Sequence, residues 1–328
     1  MITSCSIYKA TGFNPYENLA TEQYLLETLQ PGQCILYLWQ NQNTVVIGRN
    51  QNAWVECRTS LLEQEGGKLA RRLSGGGAVF HDLGNLNFTF LVNDEDFDVQ
   101  KQLSVIQKAC ALAGIETENS GRNDVLAEGR KFSGNAFYHS RGHAYHHGTL
   151  LVSADMDKLQ RYLSPSKAKL EAKGVSSVRS RVVNLSELAP ALTICKLQQY
   201  MLDAYTQVYG MDAKPLTLSP DAEAIIAETA AHIGSWDYLY GTSLPFTCQM
   251  EQRFSWGNAQ LHIQAKGGMI LGVRMYSDSM DWHLPGAVEN ALSNCRFTKD
   301  DMTARLTEAV TDLTVCKDLC QMILAQDL

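Results

Sequence analysis

Three consecutive glycines sit inside the stretch Arg71-Arg72-Leu73-Ser74-Gly75-Gly76-Gly77-Ala78-Val79-Phe80-His81-Asp82, and they limit what this part of the chain can become. A helix or strand interior is weakened by each glycine, which loses more conformational freedom on ordering than any other residue. The run is therefore read as a loop, kept where the backbone needs positive φ or must pass close to a ligand. With Arg71, Arg72 and Ser74 beside it, the loop offers backbone N–H groups and a guanidinium to a phosphate or carboxylate. Composition alone fits a glycine-rich turn with two solvated arginines equally well. Two known nucleotide loops are excluded. Gly67-Lys68 is followed by Leu69 and has Leu62 where a P-loop needs its first glycine, while Phe80 replaces the last glycine of a Gly-x-Gly-x-x-Gly run begun at Gly75.

Around this loop the patterning mixes strands and helices without strict alternation. Asn14-Pro15 starts a helix carrying Leu19, Leu25, Leu26 and Leu29 on one side. Apolar runs Ile35–Trp39 and Thr44–Ile47, separated by Gln40–Asn43, suggest a β-hairpin. Residues 58–64 suggest a helix; Asn87–Val92 and Gly148–Val152 are β-rich, and Leu103, Ile106, Cys110 and Ala113 recur at helical spacing. Hairpin-like pairs outnumber strand-helix units, which favours an α+β fold on a mixed sheet over a doubly wound parallel one. After Gln199 the chain is helical to Val208, and Pro220 begins another helix. Gly241–Pro245 reads as a linker, so that residues 1–245 form one domain and 249–328 a small α/β one. In the latter, two short strands flank Ala265-Lys266-Gly267-Gly268 and helices fill Pro285–Leu328.

Length supports two domains, since 328 residues exceed what one core usually spans. A formal charge of -7 argues against a general nucleic-acid binder. Nine cysteines without a Cys-x-x-Cys pair read as reduced thiols and provide no zinc site, Cys316 and Cys320 being small apolar residues on a helix face. With no signal-like start and no run of about 20 apolar residues, a cytoplasmic protein with no membrane partner is expected, and nothing demands more than a monomer.

The glycine segment resembles, almost residue for residue, the signature of the lipoate-protein ligase A family. Further matches follow in order: Gly121-Arg122-Asn123-Asp124, Arg130-Lys131-Phe132-Ser133-Gly134-Asn135-Ala136, His146-His147-Gly148-Thr149-Leu150-Leu151, and Lys173–Val182. Asn18-Leu19 and Thr44–Arg49 belong to the same pattern, and the likeness is weakest near the C-terminus. The resemblance implies a biotin/lipoate ligase-like catalytic domain that uses ATP and Mg²⁺ to turn lipoic or octanoic acid into an acyl-adenylate. The acyl group then passes to a lysine of lipoyl domains, those of 2-oxoacid dehydrogenase E2 subunits and of the glycine-cleavage H protein.

By the same resemblance Lys131 is catalytic, touching both the acyl carbonyl and the α-phosphate; as a bare residue it reads as a surface lysine. Arg72, Gly77, Ala78, Val79, Phe80, Ser177, Arg179 and Val182 fall on nucleotide-contact positions. Arg72, Ser74, Gly77 and His147 match positions near the acid, with a satisfied buried histidine as the alternative for His147. Leu19, Trp39 and Val46 match positions lining the acyl tunnel, although each is individually an ordinary core residue. Asp124 is a candidate Mg²⁺ ligand or an Asx-turn residue. Residues 174–182 are expected to be disordered and then to fold over the adenylate, keeping water from it. A transferase working without ATP would be expected to carry a cysteine after His147-Gly148, and none lies between Cys110 and Cys195. A non-catalytic acyl- or carrier-binding module is disfavoured because Lys131 and the glycine run are both present.

Overall fold

The computed structural model describes residues 1–120, 124–163, 182–240, 248–266 and 268–326, with the side chains at 54 and 55 left aside. In chain order the strands are β1 (Ser4–Lys9), β2 (Gln33–Trp39), β3 (Thr44–Ile47), β4 (Lys68–Arg71), β5 (Val79–His81), β6 (Asn85–Asn93), β7 (Glu118–Ser120), β8 (Asp124–Ala127), β9 (Arg130–Ser140), β10 (His143–Leu151), β11 (Ala213–Pro215), β12 (Cys248–Phe254), β13 (Gly257–Lys266) and β14 (Met269–Ser277). The larger helices are α1 (Pro15–Glu27), α2 (Val99–Leu112), α3 (Ile194–Tyr209), α4 (Pro220–Ile233), α5 (Leu284–Leu292), α6 (Lys299–Ala309) and α7 (Leu313–Leu324).

A mixed eight-stranded sheet in the order β11-β1-β2-β6-β10-β9-β8-β7 organises the larger part of the chain. Strand β1 runs parallel to β2 and β11; the other pairs are antiparallel. Side chains alternate across a strand, so each strand serves two layers. Leu36 and Leu38 of β2 and Phe88 and Phe90 of β6 pack with Val105, Ile106 and Cys110 of α2 and Met201 and Tyr205 of α3. Ile35, Tyr37 and Trp39 face the opposite way, onto Leu19, Leu25 and Leu26 of α1 and Ile226 and Ala230 of α4. On this second face β6 departs from apolar usage: Asn85, Asn87 and Thr89 are all buried. Three buried polar residues in alternate positions mark the surface where the candidate site lies.

The expected hairpin of Ile35–Trp39 with Thr44–Ile47 does not form. Strand β2 already has β1 and β6 on its two edges, so no edge remains for β3. The turn carries the chain into a separate small sheet, where β3 pairs with β4 and β5. A third sheet, β12-β13-β14, corrects the expectation of two short strands, since β13 and β14 run ten and nine residues and β12 precedes them. With α5, α6 and α7 it encloses a core of its own, including Leu261, Ile263, Val288, Leu306 and Leu319. The linker residues 241–245 and Gly267 lie outside the described residues. Strand β11 had no sequence signal, being three residues long with a proline at its end. The described cysteines are all free thiols, and no described helix is long and apolar enough to cross a membrane.

Candidate functional site

A cavity of about 790 Å³ opens on the polar face of the central sheet, a size suited to small-molecule binding. One wall is the glycine loop, with Gly76, Gly77, Ala78, Val79 and His81; the floor includes Trp39, Asn87, Thr149 and Gly134. Register explains how the floor is assembled. Trp39 pairs with Asn87, Asn87 with Thr149, the Gly134 N–H donates to Thr149 Oγ1 at 3.3 Å, and Gly134 pairs with Asp124. These residues form one row across five strands. At about 4.8 Å per strand, roughly 14 Å separates β2 from β9, so an elongated ligand laid across the row reaches from Trp39 to the strand of Lys131.

At the outer end of the row Lys131 places its Nζ 2.6 Å from Asp124 Oδ1, with both side chains partly exposed. A Cβ on Gly134 would stand 2.9 Å from Nζ, so glycine there leaves room for the ammonium. The Val183 N–H donates to Lys131 O at 2.9 Å, anchoring the returning chain against the same strand. Val182 bridges Lys131 and lines the cavity.

The loop is shaped from within by Arg72, which is buried. Nε donates to Ser74 Oγ and Gly75 O, Nη1 to Val46 O at 3.2 Å, and Nη2 to Gly75 O at 2.8 Å and Gly77 O at 2.7 Å. Burial pulls its pKa down to about 10, with the Tyr145 and Glu22 side chains opposing the shift. Arg71 spends its donors on the carbonyls of Gly48, Arg49, Gln51, Tyr238 and Leu239, tying the loop to the helical segment Trp236–Tyr240.

A directional chain of hydrogen bonds runs behind the loop. Because Ser74 Oγ accepts from Arg72, its own hydroxyl is free to donate to His147 Nε2 at 2.8 Å. The imidazole then carries its proton on Nδ1, which donates to Glu22 Oε1 at 2.9 Å. The same oxygen accepts from Thr89 Oγ1 at 2.7 Å, which in turn accepts from Trp39 Nε1 at 3.1 Å. Glu22, only 2% exposed, is the buried anion opposite Arg72. Its signal in the sequence is a carboxylate three residues from both Leu19 and Leu25, on the buried side of α1.

Residues 14–206 match the lipoyl protein ligase A/B catalytic domain, and residues 243–315 match the bacterial lipoate protein ligase C-terminus. Lipoate-protein ligase A of Psychrobacter cryohalolentis is 40% identical over 314 residues, 92% of this chain and 91% of its own. The chain belongs to the lipoate-protein ligase A family. Its relative in Blochmanniella pennsylvanica, also named lipoate-protein ligase A, is 42% identical over 85% of this chain and 84% of its own. Among solved structures, LipL1 of P. falciparum in complex with lipoate has a TM-score of 0.86 at 26% identity, covering 98% of this chain and 99% of that one. A lipoate-protein ligase A bound with ATP shares the fold at a TM-score of 0.64 and 24% identity, over 74% of this chain and 100% of that chain.

Within this ligase fold, the cavity gathers Leu19, Trp39, Val46, Arg72, Gly77, Ala78, Val79, Asp124, Lys131, His147 and Val182. Two predicted residues stand apart. Ser74 is fully buried behind His147. Phe80 faces away from the cavity, stacking obliquely on Tyr162 at 5.4 Å in a core with Val45 and Leu69, because alternate residues of β5 point to opposite sides. Ser177, Arg179, most of the 174–182 loop and the Gly121-Arg122-Asn123 part of the second motif lie outside the described residues. His81 and Asn87 line the cavity but had not been singled out; the alternation of Asn85, Asn87 and Thr89 was the available signal. Among the described residues no group of three or more His, Cys, Asp or Glu is arranged to hold a metal ion. Asp124 nevertheless lines the cavity with a partly exposed carboxylate, which fits the way Mg²⁺ takes one protein carboxylate together with phosphate oxygens.

Proposed function

We propose that the chain activates lipoic or octanoic acid with ATP and transfers the acyl group to a lysine of a lipoyl domain. Residues 1–245 would act as the catalytic unit and 249–328 as an accessory unit. The carrying observation is the position of Lys131: a lysine at the mouth of a cavity whose floor passes over Trp39 and whose wall is the glycine loop. A solved relative holds lipoate and another holds ATP, and an archaeal ligase of the same fold, from Thermoplasma acidophilum, is described together with its E2 lipoyl domain. That pairing supports E2 lipoyl domains as acceptors, and the glycine-cleavage H protein is proposed beside them from the sequence resemblance alone.

In the first step a carboxylate oxygen bonds to the α-phosphorus and pyrophosphate leaves. Two anions must approach each other, and the Lys131 ammonium offsets their repulsion most strongly where water is scarce. Asp124 is the residue that would hold Mg²⁺, whose contribution there would be charge neutralisation at the phosphates. In the second step the carrier lysine amine attacks the acyl carbon, AMP departs, and the amine releases its proton. Arg72 acts through the loop it shapes, holding the carbonyls of Gly75 and Gly77 so that Gly77, Ala78 and Val79 present their other side to the nucleotide. Leu19, Trp39 and Val46 hold the acyl chain, and His147 is fixed beside it by Ser74 and Glu22. Ser177, Arg179 and Val182 are assigned to nucleotide contact. No cysteine is among the described cavity-lining residues, which favours adenylate formation over thiol transfer. Lipoate-dependent ATP–pyrophosphate exchange, followed by the mass shift of a purified lipoyl domain, tests the reading. Lys131→Ala is expected to remove both signals with the fold retained; exchange surviving in that variant would overturn the role of Lys131, and absence of both signals from the unaltered protein would overturn the function.

A further inference from the structure

Polar groups in an acyl tunnel call for an explanation, because an unpartnered buried donor carries the full loss of its hydration. His81, 3% exposed, lies against Trp39 edge to face and lines the cavity. A chain of hydrogen bonds fixes its proton. Asn18 Nδ2 donates to the carbonyl of Gln40 at 2.8 Å and to Asn41 Oδ1 at 3.0 Å, which orients the second amide. Asn41 Nδ2 then faces His81 Nδ1 at 3.2 Å, so this nitrogen accepts and the proton sits on Nε2. Burial, assisted by the charge of Arg72, lowers the pKa of His81 to about 3, and the ring is neutral. Nε2 has no hydrogen-bond partner among the described residues. Asn87, which also lines the cavity, accepts from Asn85 Nδ2 at 2.8 Å, and its own Nδ2 has no partner among the described residues. Both donors belong to the Trp39 end of the row, at the opposite end of the floor from Lys131.

We infer that His81 and Asn87 are specificity-determining residues, which select an acyl chain whose far end carries lone pairs, a cyclic disulfide, over a plain alkyl chain. The inference rests on the proposed function, which sets the carboxylate at Lys131 and so brings the tail to these donors. Ring sulfurs are weak acceptors, yet they leave the N–H groups partly satisfied. Both donors are already shielded from water, so an alkyl tail of the same length leaves them unpaired and forgoes what the ring sulfurs return, the asymmetry by which a site built to hydrogen-bond disfavours an analogue without the acceptor.

The test is equilibrium binding of three acids to the full chain: lipoic acid, octanoic acid, and 5-cyclopentylpentanoic acid, which keeps a five-membered ring but has no sulfur. Lipoic acid is expected to bind about tenfold more tightly than either. In His81→Leu and Asn87→Leu that preference over the carbon ring should shrink to within about twofold, whereas His81→Gln, which can still donate, should restore part of it. Equal binding of lipoic and cyclopentylpentanoic acids by the unaltered protein would overturn the inference alone, because shape would then account for selection. A tenfold preference surviving in both leucine variants would overturn it as well. Failure of all three acids to bind would defeat the ligase reading and the inference together.

Discussion

The three adjacent glycines of the loop are there for different reasons, and an alanine scan separates them. A Cβ on Gly75 would lie 2.4 Å from the Ser279 carbonyl oxygen and 3.1 Å from that of Met280, a collision with backbone that only movement of the C-terminal segment relieves. Overpacking of this kind costs about 1–3 kcal/mol. Gly76 has φ of 88° and donates its N–H to Ser279 O at 3.2 Å; an alanine held in that left-handed region costs about 1–2 kcal/mol. Around Gly77 no atom comes within 4 Å of the added methyl, and its φ is not positive. Gly77→Ala should thus leave stability within about 0.5 kcal/mol. If the nucleotide passes over Gly77, the same methyl should reduce ATP–pyrophosphate exchange at least about tenfold, since close approach was the reason for glycine. Urea unfolding of the three variants measures the first effect, and exchange kinetics the second. In Gly75→Ala the Gly76 amide should also lose hydrogen-exchange protection. A neutral Gly75→Ala would refute the docking argument; a Gly77→Ala as destabilising as its neighbours, or one with full exchange activity, would refute the assignment of Gly77 to ligand.

The remaining predictions concern buried groups. Glu22→Ala strips the acceptor from both His147 and Thr89 in the interior, which should cost about 1–3 kcal/mol for each donor left unpaired; Glu22→Gln keeps an Oε1 for both bonds and should cost clearly less, so equal unfolding midpoints would show that the bonds are unimportant. His81 and His146 are each pushed down to about 3 by burial. Their unfolded forms take up protons below about pH 6.5 while the folded forms do not, so stability should fall on the order of 1–2 kcal/mol per histidine between pH 6.5 and 5, and a urea midpoint that is flat across that window would contradict the assignment. Phe80→Ala should destabilise by about 3–5 kcal/mol through the cavity left beside Tyr162 while the KM for ATP of the folded enzyme stays within about twofold; a large KM rise would place the ring in the nucleotide site after all.

What the sequence disclosed follows from how local each signal is. The glycine run, Lys131 and His147 stood in contiguous motifs, and the cavity does bring them to one place. Helix α1 was announced by Asn14-Pro15, α2 by its periodicity and α4 by Pro220, and in the structure Asn14, Asp98 and Ser219 accept from the first turns. Strand pairing is non-local, and there the reading failed: two buried apolar runs joined by Gln40–Asn43 look like a hairpin until the edges of β2 are known to be taken. Glu22 was hidden for a related reason, since its partners Thr89 and His147 are 67 and 125 residues away. Phe80 was misplaced because a motif gives neighbours in sequence, while a strand sends alternate neighbours to opposite layers.

The buried guanidinium of Arg72 has an effect on the far side of the residues it touches. In a trans peptide the carbonyl and the following N–H point in opposite directions. By drawing Gly75 O and Gly77 O toward itself, Arg72 turns the N–H groups of Gly76 and Ala78 outward. Gly76 gives its hydrogen to Ser279, and Ala78 stands at the cavity wall. One cation fixed inside the protein thereby sets two peptides at once, fastening the loop to the C-terminal segment through Gly76 and turning the positive end of the Ala78 peptide toward the cavity with no side chain to reorganise.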